Sequence, residues 1–171
     1  MTRYQLDLRL EDILSMGYKT FFVKPAGVKR NAADSMVTGP TTMENEFICV
    51  TVKPNGTLTI LDKETGKTYD NQGYFKDSSE IGNPWEHEAV ENDQVLSTIE
   101  VAANIELIKD TAFETLFEVA IDWKLPKGRS EDEKDRNAEL IDHRIVNTVS
   151  LKRGQRWVEV ETRFENKAED H

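Results

Sequence analysis

One short segment concentrates residue types that recognise carbohydrates. It runs from Gly82 to His87 and reads Gly-Asn-Pro-Trp-Glu-His. Apolar sugar faces stack on aromatic rings such as that of Trp85, and sugar hydroxyls need polar partners such as the side chains of Asn83 and His87. The alternative is that Trp85 anchors the segment to the protein core. Composition alone does not separate these two interpretations.

The remaining chemistry-bearing residues form no recognisable catalytic or metal motif. The three histidines are His87, His143 and His171, and their spacing matches no zinc signature. There is no Gly-x-Ser-x-Gly elbow, no glycine-rich phosphate loop and no Cys-x-x-Cys pair. The 32 acidic residues do not single out the carboxylate pair that a glycosidase requires. We therefore predict no catalytic residue, no metal ligand and no cofactor in this chain, with His143 in an ordinary surface or packing role.

The amino-acid composition and net charge indicate which partners and which cellular compartment to expect. The 171 residues carry a formal net charge of −10, with 37% hydrophobic and 32% charged residues. Such an acidic surface repels phosphate backbones and anionic lipids, which argues against nucleic-acid and membrane partners. No signal peptide or apolar membrane span is evident, so a cytoplasmic location is expected. The single Cys49 lies in an apolar run and is predicted to be a buried, inert thiol.

The pattern of apolar residues predicts an all-β protein with turns at regular intervals. Asn55-Gly56, Gly66 and Arg153-Gly154-Gln155 are typical of tight turns, and Leu14–Tyr18 also resembles a turn. Asp77–Asp93 and Lys127–Glu139 are polar and irregular, which predicts long loops. The predicted strands are 4–10, 18–23, 47–52, 58–61, 69–75, 95–101, 104–108, 115–125, 141–151 and 157–164.

These strands favour a β-sandwich preceded by a short β-segment. We predict a β-segment at 1–25, a linker at 26–42 and a sandwich domain at 43–171. The linker is inferred from its small and polar residues, which include Gly27, Gly39 and Pro40.

Several motifs together resemble a known enzyme family. Glu44–Val52 followed by Asn55–Lys67 looks like the opening of the C-terminal β-domain of glycoside hydrolase family 38, the α-mannosidases. Further resemblances follow in the same order along the chain, at Met16–Thr20, Phe75–Trp85 and Trp157–His171. The resemblance implies that the sandwich is part of a galactose-mutarotase-like supersandwich, truncated at its C-terminus.

The resemblance also implies a division of labour within a larger enzyme. Family members are zinc-dependent retaining hydrolases of α-mannosides, and their nucleophile and zinc ligands lie in an N-terminal region that nothing in this sequence matches. The chain would then be a non-catalytic domain that packs on the missing catalytic domain. The loop with Gly82, Asn83, Trp85 and His87 would lie near the sugar.

Two further hypotheses stay open. The chain could be an independent carbohydrate-binding module that uses Trp85, or a self-contained β-sandwich enzyme that uses His87 or His143 as acid or base. A domain separated from its partner exposes the surface that the partner would cover, so self-association is also expected.

Overall fold

The computed structural model describes Leu10, residues 13–23 and residues 35–170. The chain divides into two compact units, Met1–Asp34 and Ser35–His171. In the first unit the predicted turn is confirmed, because the amide of Gly17 donates to the carbonyl of Leu14 at 2.9 Å. The strand predicted at 18–23 is wrong, since these residues carry no strand and Tyr18 and Phe22 are largely exposed. The strand predicted at 4–10 lies outside the described residues except for Leu10.

A high content of aromatic and β-branched residues did not by itself produce a strand at 18–23. A strand needs a hydrogen-bonded neighbour and a surface to cover. No such neighbour is present for 18–23 within the described part of the first unit.

The second unit is built from antiparallel strands that form two facing sheets. The first sheet has five strands in the order of the chain. They are β1 (Val37–Gly39), β2 (Thr42–Glu44), β3 (Ile48–Val52), β4 (Leu58–Asp62) and β5 (Thr68–Gln72). The first two are strands that the sequence analysis missed, and β1 lies wholly within the predicted linker. The division of the chain at 25 and 42 remains a prediction.

Turn chemistry connects these strands as predicted. Gly56 has a φ of +80° between β3 and β4, and its amide donates to the carbonyl of Lys53 at 2.8 Å. Gly66 has a φ of +72° between β4 and β5. Glycine adopts this left-handed backbone without the steric penalty of a Cβ atom, so the chain can reverse direction between the paired strands at both positions.

The second sheet has four strands in the order β11-β10-β9-β8. They are β8 (Ala103–Asp110), β9 (Glu114–Pro126), β10 (Leu140–Lys152) and β11 (Glu159–Phe164). A two-stranded ribbon of β6 (Lys76–Asp77) and β7 (Leu96–Ser97) precedes them, followed by a 3-10 turn at Thr98–Glu100. The predicted strands 69–75 and 95–101 are therefore shorter than expected. The first is interrupted by a turn at Gly73, and the second ends at the 3-10 turn Thr98–Glu100.

Two apolar clusters form the core of the second unit. The first joins Val50 and Leu58 of the five-stranded sheet to Phe117 and Val149 of the four-stranded sheet. The second lies at the other end of β9 and β10, where Trp123 and Ile145 pack against residues that include Phe75 and Leu96. Alternate residues of β9 and β10 point into these clusters, because strand side chains have a period of two. The all-β sandwich prediction is confirmed.

Candidate functional site

The candidate loop, residues 78–95, joins the two strands of the small ribbon, and its base is fastened by buried polar contacts. Arg136, from the loop between β9 and β10, forms an ion pair with Asp77 in which each side chain is only 7% exposed. The same guanidinium lies 4.0 Å from the carboxylate of Asp93, at the returning end of the loop. Ser79 accepts a hydrogen bond from the amide of Val90 at 2.9 Å. These contacts fix where the loop leaves and re-enters the ribbon.

Glu80 organises the part of the loop that contains all four predicted site residues. Its Oε1 accepts from the amides of Gly82 at 2.7 Å and Glu88 at 3.2 Å. Its Oε2 contacts Nδ1 of His87 directly. Asn83 continues the turn, because its Oδ1 accepts from the amide of Trp85 at 3.0 Å. One carboxylate therefore holds both ends of the Gly82–His87 segment together.

Electrostatics follow from this arrangement. The hydrogen bond from His87 and those from the amides of Glu88 and Gly82 lower the pKa of the Glu80 carboxyl. Donors that favour the charged form of a carboxyl always act in this direction. At neutral pH Glu80 is therefore ionised, and it is this carboxylate that accepts the hydrogen bonds of the segment.

Trp85 lies at the tip of the segment and is 91% exposed. At this exposure the ring does not contact the core of the second unit, as the alternative interpretation of Trp85 would require. The loop is anchored instead by Glu80 and by the polar contacts at its base, which sequence reasoning missed. A large aromatic side chain held this far into solvent is an unusual feature of a protein surface.

Gly82 is required by space rather than by backbone conformation. A Cβ atom at this position would overlap the carbonyl oxygen of Glu86 and would lie 2.8 Å from Oε1 of Glu80. Two adjacent backbone segments can approach closely only because Gly82 has no side chain. The sequence feature that indicates this contact is an acidic residue, Glu80, two positions before Gly82, because its carboxylate can accept a hydrogen bond from the glycine amide.

The other candidate residues lie apart from this segment. His143 is 4% exposed on the core side of β10, so it has the packing role rather than the surface role. It lines an open cavity of about 330 Å³ together with Trp123, Phe75 and Phe164. Cys49 is half-buried on the outer side of β3 rather than buried, and burial together with Glu44 raises the pKa of its thiol. His171 is outside the described residues.

Neither a metal cluster nor a membrane helix occurs in the described ranges. Within residues 10, 13–23 and 35–170, no three or more His, Cys, Asp or Glu side chains are grouped so that they could hold a metal ion. The same ranges contain no helix that is both long and apolar enough to cross a membrane. The family resemblance implies zinc in the catalytic domain, and the described residues of this chain contain no group of ligands that fits it.

Comparison with known proteins gives consistent matches. Residues 43–169 match the glycosyl hydrolases family 38 C-terminal domain. A putative mannosylglycerate hydrolase from Halalkalibacterium halodurans is 26% identical over 175 residues, which cover 92% of this chain and 20% of that protein. An α-mannosidase from Enterococcus faecalis V583 has a similar structure, with a TM-score of 0.74 and 27% identity over 80% of this chain and 17% of that one. A family 38 protein from Enterococcus faecalis gives a TM-score of 0.76 and 26% identity, covering 80% of this chain and 18% of that one.

The two-sheet antiparallel fold and these matches define a β-sandwich domain of the kind found in glycoside hydrolases. The chain belongs to glycosyl hydrolase family 38, and its matching part is the C-terminal domain. It spans about a fifth of the length of the curated relative that it matches.

Proposed function

We propose that this chain is the non-catalytic β-domain of a family 38 enzyme that hydrolyses α-mannosides. In this role it packs on a catalytic domain and presents the Gly82–His87 segment next to the sugar. The observation that carries the proposal is the indole of Trp85, which is 91% exposed on a segment fixed by Glu80. Because the indole of Trp85 does not pack against its own domain, it is available to contact a bound sugar.

The geometry of the segment limits how it would contact a sugar. The indole face of Trp85 offers a stacking surface for the apolar side of a pyranose ring, and its Nε1 offers a single hydrogen-bond donor. Asn83 and His87 flank it, although Oδ1 of Asn83 and Nδ1 of His87 already bond within the segment. Stacking by Trp85 is therefore the main contribution that we propose, with the flanking side chains orienting the ring.

The relatives suggest the substrate class. One is named a putative mannosylglycerate hydrolase and another an α-mannosidase. Both names describe enzymes acting on mannose linked to another group. We propose an α-mannoside as the substrate of the complete enzyme.

Activity of the chain alone tests the non-catalytic role. The purified chain should release no product from an aryl α-mannoside or from mannosylglycerate, with or without added zinc. Turnover that is lost on substitution of a carboxylate in this chain would contradict the proposal.

A chimera tests the contribution of the loop. Residues 43–169 would replace the matching region of the enterococcal α-mannosidase, and the activity of the chimera would be compared with that of its Trp85→Phe and Trp85→Ala forms. We expect Trp85→Phe to keep most of kcat/KM and Trp85→Ala to lower it several-fold, because only the first keeps an aromatic face. Trp157→Ala is the matched control, since Trp157 is also an exposed indole but precedes β11. Equal losses in both alanine forms would contradict a specific role for Trp85.

The second candidate function is an independent carbohydrate-binding module. It is favoured by Glu80, which orders the segment through contacts with Gly82, His87 and Glu88. Titration of the isolated chain with methyl α-mannoside, followed through the indole N–H signal of Trp85, distinguishes the two functions. A saturable shift supports the module, whereas no shift at millimolar sugar favours a segment completed by another domain.

A further inference from the structure

The residues around Trp85 form a miniature antiparallel hairpin. Asn83 and Glu86 exchange both of their backbone hydrogen bonds, at 3.1 and 3.2 Å. The amide of Ile81 donates to the carbonyl of Glu88 at 2.7 Å, which continues the pairing by two positions. Trp85 lies in the turn that joins the two short arms. The backbone of the tip is therefore ordered by bonds within the hairpin itself.

In this register Gly82 lies directly opposite His87. Residues 82 and 87 occupy the position between the two hydrogen-bonded pairs, where opposing side chains approach most closely. Gly82 has no side chain, and the carboxylate of Glu80 occupies the space instead, since a Cβ atom on Gly82 would lie 2.8 Å from its Oε1. The imidazole of His87 therefore meets a carboxylate across the hairpin, and its Nδ1 contacts Oε2 of Glu80.

Glu80 determines which nitrogen of the His87 ring carries the proton. An ionised carboxylate only accepts hydrogen bonds, so the contact with Glu80 requires a proton on Nδ1. A neutral imidazole carries one such proton, and its Nε2 is then a hydrogen-bond acceptor. The side chain of His87 is 59% exposed, and no bond to its Nε2 occurs among the described residues. The hairpin thus presents one oriented acceptor next to the ring of Trp85.

We propose that Nε2 of His87 accepts a hydrogen bond from a hydroxyl of the mannosyl group that stacks on Trp85. This inference rests on the proposed function, which supplies the position of the sugar on Trp85. Residues 85 and 87 are two positions apart, so their Cα atoms are separated by at most about 7 Å. A pyranose ring with its hydroxyls spans a similar distance, so one sugar can contact both side chains.

The chemistry around His87 selects a hydroxyl rather than a carboxylate. A carboxylate has no proton to donate to Nε2. Glu86 and Glu88, the neighbours of His87 in the chain, are both exposed and would repel a negative group. A sugar hydroxyl carries no charge and donates to Nε2. His87 also complements Trp85, whose Nε1 can only donate.

Two substitutions separate the roles of the two ring nitrogens. In His87→Asn the side-chain amide reaches the position of Nδ1 and can still donate to Glu80, but no atom takes the place of Nε2. In His87→Gln the amide reaches the position of Nε2, and its oxygen can accept a hydrogen bond. If His87 only holds the hairpin together, His87→Asn should retain activity. If Nε2 contacts the sugar, His87→Gln should retain more activity than His87→Asn.

The hydroxyl is identified by substrate analogues in the chimera with the enterococcal α-mannosidase. We measure kcat/KM for an aryl α-mannoside and for analogues that each lack one hydroxyl of the mannose. His87→Asn should lower kcat/KM for the complete mannoside by roughly 3- to 10-fold, the effect of one neutral hydrogen bond, mainly through KM. For one analogue the substitution should have no effect, because that analogue lacks the hydroxyl that Nε2 accepts. Glu91→Gln lies on the same loop outside the hairpin and should leave every ratio unchanged.

The position of the proton is measured separately, by NMR of the full chain. Two-bond proton–nitrogen correlations of the neutral His87 ring should show a protonated Nδ1 and an unprotonated Nε2. Glu80→Ala should remove this preference, because nothing else in the hairpin holds the proton on Nδ1. The spectrum of His87→Asn identifies the signals that belong to His87 rather than to His143.

Three results would overturn the inference. The first is a neutral His87 ring with its proton on Nε2. The second is a His87→Asn chimera as active as the unsubstituted one. The third is an equal loss for every analogue, which would give Nε2 a protein partner instead of the sugar. Failure of the proposed function is a different result, namely equal losses in Trp85→Ala and Trp157→Ala, so the two are distinguishable.

Discussion

Asp77 of β6 and Arg136 of the β9–β10 loop form an ion pair in which each side chain is 7% exposed. They are 59 residues apart in the chain. The contact ties the charged segment 127–139 to the base of the candidate loop. It shows that this segment, predicted as a mostly solvated loop, contains a buried structural residue.

Breaking the Asp77–Arg136 pair should destabilise the sandwich strongly. Removal of one partner leaves the other charge buried, which costs about 3–5 kcal/mol. We expect Arg136→Ala to lower the free energy of unfolding in urea by this amount. Arg144→Ala is the control, because Arg144 pairs with Asp122 at 3.2 Å on the exposed face, and such pairs contribute at most about 1 kcal/mol. Equal effects of the two substitutions would contradict the assigned burial of the first pair.

Asn45 links the first sheet to the end of β10. Its Oδ1 accepts from the amides of Phe47 and Ile48 at 2.9 Å, and its Nδ2 donates to the carbonyls of Lys152 and Gln155 at 2.8 Å. Each buried group left without a partner costs about 1–3 kcal/mol, so Asn45→Ala should reduce the free energy of unfolding by at least about 2 kcal/mol.

Chemical denaturation of Asn45→Ala beside Asn104→Ala checks this prediction. The one bond described for the Asn104 side chain runs to exposed Glu106, at 3.1 Å. Its loss should be almost neutral. A small effect at Asn45 would mean that water replaces the lost bonds.

Two turn glycines should respond differently to alanine. Both have positive φ, and an alanine there costs about 1–2 kcal/mol from backbone strain alone. At Gly66 a Cβ atom would meet nothing within 4 Å, whereas at Gly56 it would lie 3.0 Å from Val119 and 3.1 Å from Ile121. Gly56→Ala should therefore cost about 1–3 kcal/mol more than Gly66→Ala, through overpacking of the core. Unfolding midpoints of the two variants provide the measurement, and equal values would contradict the crowding at Gly56.

The candidate loop should loosen in acid through Glu80. A carboxyl with a folded-state pKa below its unfolded value stabilises the folded segment above that unfolded pKa. This contribution is lost as the pH falls through the lowered pKa of Glu80. The amide signals of Gly82 and Glu88 should therefore shift with the Glu80 carboxyl signal in an NMR titration below neutral pH.

His87→Ala supplies the matched variant for this titration. Because His87 makes the largest contribution to the lowered pKa of Glu80, its removal should move the titration midpoint upward. Trp85→Ala leaves all the bonds to Glu80 in place and should not move it. An unchanged midpoint in His87→Ala would show that the two backbone amides alone hold the carboxylate.

The sequence by itself determined the local structure of the second unit. Strands β3, β4, β8, β9, β10 and β11 fall where alternating apolar residues predicted them, and the turns at Gly56, Gly66 and Gly154 fall where glycine allowed them. These features depend on near neighbours in the chain, so the pattern of residue types is sufficient to specify them. The family resemblance was also readable, because its motifs lie in these local elements.

Only the tertiary structure decided which residues act together over long distances. The position of Arg136 beside Asp77, the four bonds of Asn45 and the exposure of Trp85 each depend on how separate elements pack. Strand prediction failed in two ways for the same reason. A strand expected at 18–23 did not form, and the short strands β1 and β2 formed without being expected. A strand forms where another strand accepts its hydrogen bonds, and the sequence of the strand alone does not state whether that partner exists.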